Sequence, residues 1–166
     1  MQKKYELTSN TIVKFGRTLY QIKALFSFDV VSKGDFGGYI ENEENLSQDG
    51  NAWVYGNACV YGNARVYGNA RVYDNACVSG NARVYGGARV SGNADFLLVG
   101  RIGSRAAFTT FFKNKSGGIQ VACGCFLGTL AEFREKVKET HGNNKHAKMY
   151  NLAADMAELQ ILTKEE

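Results

Sequence analysis

The sequence of 166 residues contains no proline. Average usage of about 5% would give roughly eight prolines in a chain of this length. Proline has no backbone N–H to donate, so the interior strands of a sheet exclude it. Its absence fits a chain in which most backbone amides take part in strand pairing.

Long apolar runs are also absent. No run approaches the ~18 residues of a membrane-spanning helix, and the polar start MQKKYELTSN lacks the apolar core of a secretory signal. The four cysteines show no framework spacing, which fits a reducing compartment. We therefore expect a soluble, cytoplasmic protein that does not associate with membranes.

Strong charge and catalytic motifs are missing as well. The formal net charge of +4 is too small to indicate nucleic-acid binding. The two histidines, His141 and His146, both lie near the C-terminus. No Asp-rich calcium repeat, phosphate loop or Ser-His-Asp set is legible. The sequence therefore predicts no catalytic residue and no cofactor.

What is abundant is one hexapeptide, written seven times between Val54 and Asp95 as VYGNACVYGNARVYGNARVYDNACVSGNARVYGGARVSGNAD. Its valines recur at every sixth position. A fixed period of six is typical of hexapeptide β-helices. A disordered low-complexity tract is the alternative, but such a tract has no reason to keep small apolar residues at two fixed phases.

Each hexapeptide predicts one strand and one corner. Side chains alternate along Asn-Ala-Arg-Val-Tyr, so Ala and Val point to one side and Arg and Tyr to the other. Gly-Asn then supplies the turn, because both residues tolerate positive φ. Three hexapeptides, with three strands and three corners, close one coil, and successive coils stack as parallel strands. The fold class is thus mainly β, a parallel β-helix lined by Ala and Val.

The flanking sequences predict two further regions. Residues 1–37 are expected to form a β-hairpin that caps the helix, with its turn at Gly16-Arg17. The β-helix is expected over residues 38–108, with a two-residue insertion between Leu46 and Val54 and a weaker continuation through Phe96, Ile102 and Phe108.

Residues 109–166 predict a small α+β unit. Two strand-like runs, FTTFFK and GIQVACGCF, form a hairpin. The capping-box pattern from Thr129 to Glu132 opens a helix that ends at Gly142. A second helix follows from about Lys145 to Leu162, with Met149 and Met156 beside its apolar side.

Positions i and i+18, one full coil apart, should stack on one outer face. One face carries Arg65, Arg83 and Arg101, flanked by Tyr67 and Tyr85. Guanidinium groups spaced by one strand could bind phosphates, a nucleotide or an acidic protein surface. The alternative is structural, with stacked Arg and Tyr shielding the sheet or lying in a subunit interface.

A second face carries Trp53, Arg71 and Arg89, with Tyr73 beside them. It has the same two interpretations, a binding surface or an architectural one. Arg105, beyond the repeat, is a further binding candidate.

The cysteines give weaker signals. Cys59 and Cys77 should lie on adjacent strands of the third face. Cys123 and Cys125, together with His141, are weak candidates for a metal site. No second pair of metal ligands accompanies them. The sequence therefore favours cysteines that act as small, buried hydrophobic residues.

The run KGDFGGYIENEENLSQDGNAWVYGNA, followed by units such as GNARVYGNARV, resembles the YdcK-like hexapeptide-repeat proteins of bacteria, phages and prophages. The segment IGSRAAFTTFFKNKSGGIQVACGCFLGTLAEFREKVKETHG looks like one that recurs in phage-encoded members. This resemblance implies that the β-helix is left-handed, that the protein is a homotrimer and that it is located in the cytoplasm of a bacterial host. A fold hosts many functions, so the site must decide the activity.

Three functional hypotheses follow. The first is a non-enzymatic phage or prophage module that binds a partner, such as a host defence or regulatory protein or a small anionic ligand. The second is an acyltransferase. Acyltransferases with similar repeats use a histidine as general base, and this repeat contains no histidine. The third is a nucleotide or nucleic-acid binder that uses the Arg and Tyr ladders.

Overall fold

An antiparallel hairpin opens the chain in the computed structural model, which describes residues 2–163. Strand β1 (Tyr5–Lys14) pairs with β2 (Arg17–Ala24), and Gly16 takes a positive φ of 72° at the turn. Strand β3 (Phe36–Ile40) adds to the other edge of β2, again antiparallel. The predicted N-terminal hairpin is confirmed.

The repeat forms seven strands of two residues each. Trp53 lies opposite Arg71, and Arg71 lies opposite Arg89, all in parallel register. Paired positions are therefore three hexapeptides apart, as the spacing predicts. The strands are β4 (Trp53–Val54), β5 (Cys59–Val60), β6 (Arg65–Val66), β7 (Arg71–Val72), β8 (Cys77–Val78), β9 (Arg83–Val84) and β10 (Arg89–Val90).

The strands sort into three sheets by their position in the repeat. Strand β7 lies between β4 and β10, β6 pairs with β9, and β5 joins β8 to β3 of the N-terminal region. Every Ala and Val at the two apolar phases from Ala52 to Val90 is buried. Burying one such valine contributes about 1.5–3 kcal/mol, so these small side chains form the core of this region.

Upstream of the repeat the parallel spacing lengthens. Tyr39 lies opposite Cys59 and Leu46 opposite Val66, so each pair is separated by two positions more than three hexapeptides. Two extra residues therefore enter between Leu46 and Val54, as predicted. The side-chain amide of Asn45 fixes this segment by donating to the carbonyls of Gly62 and Ala64, at 3.0 and 2.9 Å.

The expected continuation of the repeat to Phe108 is wrong. Strand β11 (Phe96–Ile102) runs antiparallel to β12 (Ala107–Lys113). The reason is that Leu97-Leu98-Val99 replaces the Gly-Asn corner, so the chain stays extended. The chain accordingly divides into two units, residues 1–93 and 94–166, whereas the sequence favoured a boundary at 108/109.

The second unit is a four-stranded antiparallel sheet with two helices. Strands β11 and β12 are followed by β13 (Ile119–Cys123) and β14 (Phe126–Thr129), in sequence order across the sheet. The predicted helices are confirmed as α1 (Leu130–His141) and α2 (Lys145–Leu162). The sheet has twice the expected number of strands, because β11 and β14 add to its two sides.

Both helices begin and end as their sequences indicate. The Thr129 hydroxyl accepts from the Glu132 amide while the Glu132 carboxylate accepts from the Thr129 amide, a reciprocal capping box. Gly142 closes α1 with a φ of 58°. No helix within residues 2–163 is long and apolar enough to cross a membrane.

Candidate binding groove

The first predicted face is assembled in the first unit by strands β6 and β9. Arg65 lies directly opposite Arg83 in parallel register, and both side chains are exposed. Two residues further along each strand, the rings of Tyr67 and Tyr85 stack with centroids 4.5 Å apart and planes at 10°. The alternation along each strand causes this, since the intervening Val66 is buried.

An open groove of about 570 Å³ lies against this face. Arg65, Tyr67 and Arg83 form one part of its lining. The other part comes from the segment that precedes the repeat, where Leu46 pairs in parallel with Val66. Its lining residues there are Glu43, Glu44, Leu46, Ser47 and Gln48.

Charge in the groove is mixed. The Arg65 guanidinium lies 3.7 Å from the Glu44 carboxylate, and both side chains are well exposed. Exposed ion pairs of this kind contribute only about 0–1 kcal/mol. A ligand carboxylate or phosphate can therefore displace Glu44 from Arg65 at little cost.

Tyr67 and Gln48 are the two uncharged groups with long polar side chains that line the groove. Burial raises the pKa of Tyr67, although Arg83 and the Tyr85 hydroxyl act in the opposite direction, so its phenol stays protonated at neutral pH. Gln48 accepts from the amides of Lys4 and Tyr5 through Oε1. Its Nε2 is buried without a hydrogen-bond partner among the described residues, so this nitrogen is not accessible to a ligand in the groove.

Trp53, a predicted member of the second face, is not accessible. Its exposed fraction is 1%, and its ring makes edge-on contacts with Tyr5 and Phe28 at centroid distances of 6.1 and 5.4 Å. The N-terminal hairpin and the loop after it cover the outer side of β4. Trp53 is therefore a core residue, contrary to its prediction as a binding residue.

The arginines of the second face are held by protein groups. Arg71 is half-buried and binds the Asp29 carboxylate at 2.6 Å, which raises the pKa of its guanidinium further. Arg89 donates to the carbonyls of Asn69 and Ala88, at 3.0 and 2.8 Å. These contacts match the structural interpretation of that face; Tyr73 is half-buried beside them.

Arg101 and Arg105 belong to the second unit. Arg101 lies in the antiparallel strand β11 and is not a third member of the ladder that contains Arg65 and Arg83. Arg105 is exposed in the turn between β11 and β12. Neither lines the groove.

The weak metal candidates are not brought together. Cys125 is exposed in the turn between β13 and β14, whereas Cys123 contacts the hydroxyls of Thr109 and Tyr150 at 3.3 and 4.0 Å. Gly124, with a φ of 60°, turns the two cysteines apart. The ring of His141 stacks on Tyr150. Within residues 2–163, no group of three or more His, Cys, Asp or Glu side chains is arranged to hold a metal ion.

Two features were not predicted from the sequence: the part of the groove lining that precedes the repeat, and the contact of Lys14 with two cysteines. The segment from Glu43 to Gln48 was expected only as part of the β-helix and not as the lining of a groove, although the insertion before Val54 indicates a segment that departs from the regular corner. Lys14 was missed entirely; its Nζ lies 3.6 and 3.4 Å from the sulfurs of Cys59 and Cys77. Only the antiparallel hairpin places it there.

Comparison with known families finds a match in the repeat. The model of the YdcK beta solenoid repeat matches residues 58–74, 64–79 and 76–92. The matched stretches cover strands β5 to β10, including both arginines of the groove. No curated protein matches the chain.

Proposed function

We propose that the chain is a non-enzymatic binding module that holds an anionic group of a partner between Arg65 and Arg83. The observation that carries this proposal is the parallel register of the two arginines along an open groove. Their backbones lie one strand spacing apart, about 4.8 Å. Two arginines that are neighbours in this way suit a carboxylate or phosphate bound by both.

The proposed scaffold is a left-handed parallel β-helix with three hexapeptides per coil. Its support is the three-hexapeptide spacing of paired strands, the buried Ala and Val and the match to a solenoid repeat. The left hand and a trimeric assembly rest on the family resemblance. A regular scaffold of this kind places groups at fixed spacing without loops that must be ordered on binding.

The partner we favour is an acidic protein segment. Glu43 and Glu44 line the groove beside the arginines, and these carboxylates would repel a polyanion such as nucleic acid. A peptide that offers one acidic group and a neighbouring backbone matches the mixed charge of the groove and the hydroxyl of Tyr67. Because the C-terminal segment resembles phage-encoded proteins, a host defence or regulatory protein is the proposed source.

Acyl transfer remains the second candidate function, and it rests only on the likeness of the hexapeptide repeat to that of acyltransferases. A general base has to reach the proton that it removes. The two histidines lie in the second unit, with ring centroids 5.6 Å apart, and none lies in the repeat. Incubation with acetyl-CoA and a panel of amines tests this function; turnover would displace the binding proposal.

The binding proposal is tested by calorimetry with a peptide that carries a single Glu, inorganic phosphate and ADP as probes, and by capture from a bacterial lysate. We expect Arg65→Glu and Arg83→Glu each to weaken peptide binding at least tenfold. Arg101→Glu makes the same charge change at an exposed arginine outside the groove and is the matched control. Equal loss in all three variants, or no binding of any probe or lysate protein, overturns the proposal. Tighter binding of ADP than of the peptide would indicate the nucleotide alternative.

A further inference from the structure

Helix α2 carries a line of large apolar side chains that face solvent. Met149, Leu152, Met156 and Leu159 are 39%, 64%, 54% and 69% exposed. Monomeric proteins rarely expose a contiguous apolar patch larger than a few hundred Å², and larger ones mark interaction sites. We call these four residues the α2 stripe. The sequence placed both methionines beside the core; the structure places them outside it.

The opposite side of α2 already has its partners. It packs on the sheet and on α1 through six buried residues, namely Ala147, Tyr150, Ala153, Ala154, Ala157 and Ile161. A helix that is apolar on two sides needs a second surface to cover the outer one. The α2 stripe therefore does not belong to the hydrophobic core of its own unit.

The spacing of the α2 stripe identifies the kind of surface. The steps between its members are three, four and three residues, the a/d pattern of helices that pack side by side. The same pattern reads identically in both directions. A second copy of α2, turned by a two-fold axis, places Met149 opposite Leu159 of the other copy and Leu152 opposite its Met156.

We propose that α2 pairs with α2 of a second copy of this chain, antiparallel and about a two-fold axis. This inference is independent of the binding groove, which lies in the other unit. Should the repeat also assemble as a trimer, the two contacts would close a six-chain assembly with dihedral symmetry if the two-fold axis crosses the three-fold axis at a right angle.

Charges along the helix support the antiparallel direction. Lys145 and Lys148 lie exposed at its N-terminal end, and Asp155 and Glu158 follow in its second half. Arg134 of α1 already binds both carboxylates, at 2.7 and 2.9 Å, so these three groups together carry a net charge of −1. A parallel copy would set Lys145 and Lys148 against the same lysines. An antiparallel copy separates the lysines, places them nearer this net negative group, and also opposes the two helix dipoles.

A matched set of variants tests the pairing by light scattering of the full chain. Leu152→Glu and Leu159→Glu should each halve the mass of the wild-type particle, whether that particle is a dimer or a six-chain assembly. Leu127→Glu, at a 39% exposed leucine of β14, is the control and should keep the wild-type mass. Circular dichroism checks that each variant is folded.

Spin labels at position 145, with the native cysteines replaced by serine, test the direction. Position 145 lies nine residues before the centre of the stripe, so antiparallel labels should be separated by about 27 Å along the axis. Parallel helices would bring them to about 10 Å, the interaxial distance. A short distance overturns the antiparallel arrangement. An unchanged mass in both glutamate variants overturns the pairing, and would mean that another protein or another part of the chain covers the stripe.

Discussion

The rings of Tyr67 and Tyr85 stack almost face to face, 4.5 Å apart, although three hexapeptides of sequence separate them. One strand spacing separates their backbones, so the stack is a direct consequence of the parallel register of Val66 with Val84. The two rings lie beside Arg65 and Arg83. Register thus sets the positions of Tyr67 and of the two arginines, all three of which line the groove.

Loss of this stack should lower stability modestly. Tyr85→Ala removes one ring, and aromatic pairs contribute about 0.5–1.5 kcal/mol beyond their buried area. We expect a free energy of unfolding lower by about 1–2 kcal/mol, measured by urea denaturation. Tyr85→Phe keeps the ring and loses only the hydroxyl, so its loss should be smaller. Equal losses in both variants would mean that the hydroxyl, not the ring, matters.

Gly38 in β3 has no room for a side chain. A Cβ at this position would lie 2.5 Å from the Ala58 carbonyl oxygen and 2.7 Å from Val54 Cγ1. Because the first contact is with backbone, β3 would have to move away from its parallel neighbour. We expect Gly38→Ala to destabilise the chain by about 1–3 kcal/mol, the range for overpacked cores.

Gly87 supplies the matched control for that substitution. A Cβ there meets nothing within 4 Å, and its φ is not in the positive range. Gly87→Ala should leave stability unchanged or raise it by about 0.4–1 kcal/mol, because alanine restricts the unfolded chain. Thermal denaturation of the two variants side by side measures the contrast; similar melting temperatures would contradict it.

A buried lysine makes stability depend on pH. Lys4 donates to the carbonyls of Ala52 and Gly50, at 2.9 and 3.3 Å, and is 1% exposed. Burial lowers its pKa from 10.5 to about 8, although Asp49 acts in the opposite direction. Between these two values the folded chain holds fewer protons than the unfolded chain. The stability contribution of Lys4 therefore rises with pH from about 8 to 10.5.

Comparison with Lys4→Met isolates this titration. The difference in unfolding free energy between wild type and variant should shift in favour of the wild type across that window, by about 3 kcal/mol at most. Subtraction cancels the other groups, including Tyr5, whose pKa burial raises. Urea denaturation at pH 7, 9 and 10.5 provides the measurement, and a difference that is flat with pH would refute the assignment.

The sequence predicted the parts of the fold that depend on local period. The alternation of Ala and Val, the corner glycines and the capping box at Thr129 all act within a few residues, so strands and helices could be placed from them. The antiparallel course of β11 could not. Phe96 and Ile102 keep the valine phase, and only pairing with β12 decides that this stretch is one long strand.

The candidate binding residues, likewise, could be predicted from the sequence only in part. Arg65 and Arg83 follow from the three-hexapeptide coil, and the structure brings them together as predicted. Trp53 has the same phase as Arg71 but is buried, because the N-terminal hairpin covers its strand. Such long-range covering depends on how the hairpin folds back, and no spacing within the repeat encodes it.

Thiol reactivity tests how far the N-terminal hairpin protects strands β5 and β8. Cys59 is buried, Cys77 is half-buried and Cys125 is exposed. Burial, and after it the neighbouring Cys77 thiol, raises the pKa of Cys59, which lowers its reactive thiolate fraction. Iodoacetamide should therefore modify Cys125 first, Cys77 later and Cys59 last, as followed by mass spectrometry of peptides. In urea the three rates should converge, because the protection comes from the fold. Modification of Cys59 in the native chain as fast as Cys125 would show that the hairpin does not cover β5.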